Sequence, residues 1–172
     1  MNPNTPSFLK LLKHPFKFKV FLFTKLPAAY IAGVRVREAS EKKCVASVPY
    51  KWLSQNPFRS TYFACLSMAA ELSTGALAMA HLYKIDPPVS MLVVKVDSEY
   101  LKKATGRTYF TCEDGALFEK AIADTIATGE PTTVKAKSVG RNKEGEVVAE
   151  FYITWSFKAR SKKQFLINKI SE

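Results

Sequence analysis

Residues 60–83 read STYFACLSMAAELSTGALAMAHLY, 24 residues with one glycine, Gly75, and no proline. Alanine, leucine and methionine dominate, and these are strong helix formers. Apolar side chains fall nearly all the way round the helical wheel, the pattern of a helix buried on every side. The stretch is also long enough to cross a bilayer. Ser60, Thr61, Ser67, Ser73 and Thr74 argue against that. So does Glu71, because an acid at mid-membrane costs about 2.5–3.5 kcal/mol. Glu71 is the only formally charged residue between Arg59 and Lys84. A carboxylate on a buried helix is paired, protonated or functional, since desolvating the bare ion costs several kcal/mol. Two structural explanations therefore stand beside a functional one: a hydrogen-bonded core glutamate, or an ion pair with a loop arginine such as Arg59.

Downstream of this helix the pattern is mostly β. Residues 89–96 (VSMLVVKV) and 107–113 (RTYFTCE) read as strands. Residues 114–128 read as a helix with Leu117, Ala121, Ile122 and Ile126 on its apolar face, ended by Gly129. Residues 131–141 and 146–158 read as long strands joined by the turn Asn142-Lys143-Glu144-Gly145. In the last of them Val147, Ala149, Phe151, Ile153, Trp155 and Phe157 alternate with more polar residues, so one face covers a core. Upstream, residues 34–37 and 44–49 read as a hairpin across a polar turn, and residues 50–59, with Asn56-Pro57, as a loop. An antiparallel sheet wrapped round one very apolar helix satisfies this order, an α+β class.

The N-terminal stretch from Ser7 to Leu26, SFLKLLKHPFKFKVFLFTKL, is broken by lysines every few residues and lacks a small-residue cleavage site. It reads as neither a signal peptide nor a membrane span. Leu9, Leu12, Phe16, Val20 and Phe23 fall at spacings of one helical stripe, with a break expected at Pro15. Two short amphipathic helices docking through that stripe are expected, with peripheral contact to an anionic membrane or a mobile arm as the alternatives.

Length and composition bound the rest. The chain has 172 residues, 47% hydrophobic and 24% charged, which suits one ordinary globular domain. The expected divisions are N-terminal helices over 1–32, a domain over 33–158 and a basic tail over 159–172. Cys44, Cys65 and Cys112 are odd in number with no CxxC, and the only histidines are His14 and His81. A zinc site, a disulfide framework and a histidine-dependent triad are poor fits, and a reducing cytoplasmic compartment suits the thiols. The net charge of +11 is concentrated at the ends: residues 1–59 carry eleven Lys/Arg against two acids, and residues 158–172 five against one. Such ends attract anions, although no nucleic-acid-binding motif accompanies them.

This order of elements resembles the hotdog fold of acyl-CoA thioesterases. One branch of that superfamily, in the phenylacetate pathway, carries an Asn, six residues later His-Gly-Gly, and an acid nine residues after the His. Here Asn56 is followed six residues on by Tyr62-Phe63-Ala64, and Glu71 stands nine residues after Tyr62. Other hotdog thioesterases use Glu at the acid position. EYLKKATGRTYF and GEVVAEFYITW resemble the family's strand linker and final strand. The resemblance spans residues 33–158. The helix at 114–128 and the N-terminal helices resemble a subgroup of unknown function.

The resemblance implies that Glu71 attacks the thioester or activates a water, that the Phe63 N–H holds the thioester oxygen, and that Asn56 orients one or the other. It implies substrate contacts from Tyr62, Ala64 and Arg59, with Ser67 and Thr74 supporting Glu71 from the same helix face. Tyr62-Phe63-Ala64 departs from His-Gly-Gly, and glycines there would let a ligand approach the backbone more closely. A hydratase motif is incomplete, because Arg59 and Ser54 stand where His and Asp belong. The implied substrate is a thioester of CoA or acyl carrier protein, without cofactor or metal. Lys158 and Arg160 are candidates for the CoA phosphates. The implied assembly is a homodimer or dimer of dimers, each site taking Asn56 from one chain and Glu71 from the other. A non-catalytic acyl-CoA or lipid-binding protein is the alternative.

Overall fold

The computed structural model describes residues 2–160; the tail from residue 161 onward lies outside them. Helices α1 (Thr5–Lys13), α2 (Pro15–Lys25) and α3 (Pro27–Ala32) precede the hairpin β1 (Arg35–Ala39) and β2 (Cys44–Val48). A 3-10 turn, Trp52–Ser54, leads to the long helix α4 (Phe63–Leu82). Then follow β3 (Val89–Tyr100), β4 (Thr108–Cys112), α5 (Gly115–Thr128), β5 (Thr132–Arg141) and β6 (Val147–Ala159). The six strands form one antiparallel sheet in the order β1-β2-β4-β5-β6-β3. This is the expected hotdog architecture, with the sheet wrapped on α4. By length and composition α4 is a helix that would cross a membrane, yet its Ala69, Ala70, Ala76, Leu77, Ala78 and Ala80 are buried in the core.

The sheet follows the alternation in the sequence. Phe151, Ile153, Trp155 and Phe157 of β6 are buried, and Phe110 of β4 and Val134 and Ala136 of β5 join them. β3 pairs with β6 from Val89 opposite Ala159 to Tyr100 opposite Ala149, and among the described residues its other edge has no strand beside it. It runs four residues beyond the expected end, because β6 is long enough to pair it throughout.

Two expectations about buried faces are corrected. On α5 Ala121 and Ile122 are buried as expected, but Phe118 is buried with them and Leu117 is exposed. Phe118 packs edge-on against Phe157 of β6 and takes the place on the buried face expected of Leu117, while Ile126 packs against the core as expected. On the N-terminal helices the break falls at His14, whose extended backbone separates α1 from α2 as Pro15 requires. Phe8 and Leu12 of α1 dock as a helical face should. The change of direction turns α2, so that Phe18 and Leu22 are buried while Phe16, Val20 and Phe23 point outward. One stripe cannot run through two helices with different axes. The N-terminal segment is fastened to α4: Asn2 Nδ2 donates to the carbonyls of His81 (2.9 Å) and Tyr83 (2.8 Å), and Thr5 Oγ1 to that of Ala80 (2.9 Å). These satisfy carbonyls that the end of a helix leaves open.

Candidate functional site

The loop before α4 is built by Asn56. Its Oδ1 accepts from the Phe58 N–H (3.0 Å), the Ser60 N–H (3.2 Å) and the Ser60 hydroxyl (3.2 Å), a side chain closing its own turn. Arg59 takes positive φ (58°) to complete it. Thr61 is held to the Ala104 carbonyl by its N–H (2.8 Å) and hydroxyl (3.1 Å), and the Tyr62 N–H donates to the Ser54 carbonyl (2.8 Å). Tyr62 caps α4 in an extended conformation without a side-chain cap.

The first turn of α4 therefore leaves donors open, as helix N-termini do. Cys65 and Leu66 donate to the Tyr62 carbonyl, and no hydrogen bond joins the amides of Phe63 or Ala64 to another described residue. Those amides and the positive end of the helix dipole favour negative charge there. A cavity of about 800 Å³ lies against this end, walled by Asn56, Phe58, Tyr62, Phe63, Leu66 and the segment from Tyr100 to Ala104. The aromatic rings chain together: Tyr62 to Phe63 at 4.8 Å, Phe63 to Tyr100 at 6.4 Å, Tyr100 to Phe151 at 5.7 Å.

Asn56, Tyr62 and Phe63 are thus brought to one cavity, and Glu71 is not among its walls. Glu71 sits two turns further along α4, half-buried. No hydrogen bond or ion pair joins its carboxylate to another described residue. Burial alone pushes its pKa above the ordinary carboxylate range. The ion pair with Arg59 is not formed: that side chain is exposed on the loop, and no salt bridge among the described residues includes Glu71.

Ser67 and Thr74 do not support the carboxylate. Ser67 Oγ donates to the Phe63 carbonyl (3.1 Å) and Thr74 Oγ1 to the Glu71 backbone carbonyl (3.0 Å). Thr74 is also fully buried and accepts a 3.0 Å hydrogen bond from Trp155 Nε1, so its hydroxyl is occupied. Ala64 lies in the first turn of α4, half-buried.

Lys158 and Arg160 lie at the other end of the sheet from this cavity. Lys158 pairs with Ser90, and the Arg160 N–H donates to the Pro88 carbonyl. Tyr100 is ten residues further along β3 than Ser90, roughly 30 Å at strand rise. The cations at the chain's own cavity are Lys102 and Lys103, which the sequence reading passed over. Lys102 is paired with Glu146 at 2.6 Å. Their signal was present: two adjacent lysines close the segment EYLKK that follows the β3 pattern. Among the described residues no three His, Cys, Asp or Glu side chains are placed to hold a metal.

The profile of a family described as a domain of unknown function (DUF4442) matches residues 16–157. None of the curated proteins matches the chain. Among solved structures, a Pseudomonas aeruginosa protein of unknown function, PA5026, named a probable thioesterase, is 18% identical with a TM-score of 0.72, covering 85% of this chain and 97% of that one. The thioesterase HI1161 of Haemophilus influenzae is 12% identical with a TM-score of 0.60, covering 81% and 88%. A mutant of the P. aeruginosa thioesterase PA1618 is 15% identical with a TM-score of 0.59, covering 93% and 97%. At these identities the likeness is one of fold, and that fold is the hotdog.

Proposed function

The chain belongs to the DUF4442 family and has the hotdog fold, and on that footing we propose that it hydrolyses acyl thioesters. The observation that carries this reading is Glu71, a half-buried carboxylate on the core helix with no cation or donor beside it among the described residues. A poorly solvated carboxylate is a stronger base, suited to taking a proton from water. The water oxygen attacks the thioester carbonyl carbon, and its proton passes to Glu71. The tetrahedral oxyanion is met by the free amides of Phe63 and Ala64. It collapses with cleavage of the C–S bond, and Glu71 returns the proton to the departing thiolate. Direct attack by Glu71, giving an anhydride that water then opens, uses the same groups. Asn56 Nδ2 can orient the thioester, because among the described residues only its Oδ1 is engaged, in the loop.

One chain does not complete this site. Phe63 and Glu71 are eight residues apart on α4, about 12 Å of helical rise. A nucleophile about 3–3.5 Å from the carbonyl carbon and donors about 3 Å from its oxygen span only roughly 7 Å. The proposed assembly is a homodimer in which Asn56 and Phe63 of one chain face Glu71 of the other. The outer edge of β3, unpaired among the described residues, supports it, since a twelve-residue open strand exposing Leu92, Val94 and Val96 invites a partner. Pairing centred on β3 brings the Val89 end of one chain, with Lys158 and Arg160, beside the Tyr100 end of the other.

Phe58, Phe63, Leu66, Tyr100 and Leu101 make the cavity wall apolar and suit a medium or long acyl chain. Lys102 and Lys103 suit the phosphates of CoA or the acidic surface of an acyl carrier protein. Cys44 and Cys112 face each other across β2 and β4 as free thiols, which suits a reducing cytoplasm. The test is thiol release over a panel of acyl-CoAs of increasing chain length, with binding followed by tryptophan fluorescence. Turnover supports the proposal. Saturable binding without turnover on any substrate contradicts it and identifies a binding protein, the outcome that Phe63 and Ala64 in place of two glycines would produce by blocking the carbonyl's approach.

A further inference from the structure

The face that α2 and α3 turn outward takes no part in the cavity described above. Phe16, Val20 and Phe23 are 71%, 45% and 62% exposed. They recur along one side of α2 at helical spacing. Phe18 and Leu22 already fasten α2 to the protein, so these three large apolar residues are surplus to docking. The apolar surface continues past α2. The Phe23 ring lies edge-on to Tyr30 at 5.3 Å, Ile31 is exposed beside it, and Tyr30 and Ile31 share a cavity of about 340 Å³ with Leu53.

Positive charge surrounds this surface. Residues 1–37 hold seven Lys/Arg and no acid. A second cavity, of about 470 Å³, adjoins the first and shares Arg35 and Arg37 with it. Between them they collect Lys13 and Lys19 from the helices and Lys51 and Arg107 from the loops. The single acid there, Glu38, is paired with Lys43 at 3.3 Å. Burial, with Arg107 and Arg35 close by, holds the Arg37 guanidinium below its usual pKa.

We propose that this face docks on an anionic phospholipid bilayer, with Phe16, Val20 and Phe23 entering the acyl boundary and the surrounding cations meeting headgroup phosphates. Basic helices with an exposed apolar stripe lie in the membrane interface in this way. A second copy of the chain suits the surface less well, because it would bring the same positive charge. The inference does not depend on the catalytic reading.

Flotation of the full chain with vesicles tests it. Phosphatidylcholine vesicles are compared with equimolar phosphatidylcholine and phosphatidylglycerol, for the wild type, Phe16→Ser/Phe23→Ser and Leu117→Ser. Leu117 is exposed on α5, away from the surface. The wild type and Leu117→Ser should float with anionic vesicles at least about tenfold more tightly than with neutral ones, and added salt should release them. Phe16→Ser/Phe23→Ser should lose at least about tenfold in affinity with its melting temperature kept. The proposal is overturned if the wild type stays behind at millimolar anionic lipid, or if the double variant floats as well as the wild type. It is also overturned if, without lipid, the double variant has half the wild-type mass in light scattering, because a second copy then covers the stripe.

Discussion

Glu71 and Gly75 face each other across one turn of α4: a Cβ added at Gly75 would stand 3.0 Å from Glu71 Oε1 and 3.3 Å from Cζ2 and Cη2 of Trp155. The carboxylate rests where a side chain is missing, with the buried indole as the far wall. Glycine in a helix interior is unfavourable by about 1 kcal/mol relative to alanine, so its presence here goes with the room it leaves for Glu71.

Gly75→Ala should therefore separate activity from stability. The helix gains propensity and loses packing room against Trp155, so unfolding free energy should change by no more than about 1 kcal/mol. The displaced carboxylate should lower kcat/KM by about 10- to 100-fold, as small misplacements of reacting groups do. Urea denaturation and acyl-CoA hydrolysis on the same preparation check both halves.

The raised pKa of Glu71 has a defined sign for stability. An acid whose folded pKa lies above its unfolded value binds more protons when folded. Stability from this group is present below the unfolded pKa and is lost as pH rises through the folded one. Glu71→Gln removes that loss, so the variant should melt at or above the wild-type temperature at neutral pH, and the difference should vanish in acid. A broken ion pair would instead lower the melting temperature sharply, about 3–5 kcal/mol of destabilisation for a buried pair. Thermal melts from about pH 4, the ordinary range of an unfolded glutamate, up to about pH 8 distinguish the two.

The Trp155–Thr74 hydrogen bond joins β6 to α4 inside the core. Thr74→Val keeps the shape and strands the indole N–H, at a cost of about 1–3 kcal/mol. In Trp155→Phe there is no N–H to strand, so adding Thr74→Val to it should be nearly neutral. Equal losses from Thr74→Val in both backgrounds would mean that the bond contributes nothing.

Much of this fold was legible because two periodicities are strong. The alternation of Phe151, Ile153, Trp155 and Phe157 fixed the inner face of β6, and the Ala- and Leu-rich run fixed α4. Faces on short peripheral helices were less legible. Phe16, Val20 and Phe23 make as good a stripe as Phe18 and Leu22 make a dock, and only the turn at His14 and Pro15 selects between them. At the site, spacing drew attention to Asn56, Phe63 and Glu71, and the loop and helix end do place the first two at one cavity. Spacing says nothing of where a long-range neighbour comes from, which is why Lys102 and Lys103 were passed over and Trp155, the wall beside Gly75, carried no functional signal.

The assembly has its own test. Leu92→Lys/Val96→Lys places charges on the exposed side of the open edge strand, the device that blocks strand pairing. The wild type should scatter as twice its 19.2 kDa chain mass and the variant as one chain, and turnover should disappear with the dimer. A monomeric variant that still hydrolyses thioester would show that one chain suffices.

The most direct measurement is hydrolysis of the best acyl-CoA substrate by wild type and Glu71→Gln at matched, saturating concentration. Gln keeps the shape and cannot take the proton. The rate should fall by at least about 100-fold, the contribution of a general base, with acyl-CoA binding preserved and the melting temperature not lowered. A Glu71→Gln protein that turns over at the wild-type rate would contradict the assignment of Glu71 as the catalytic base.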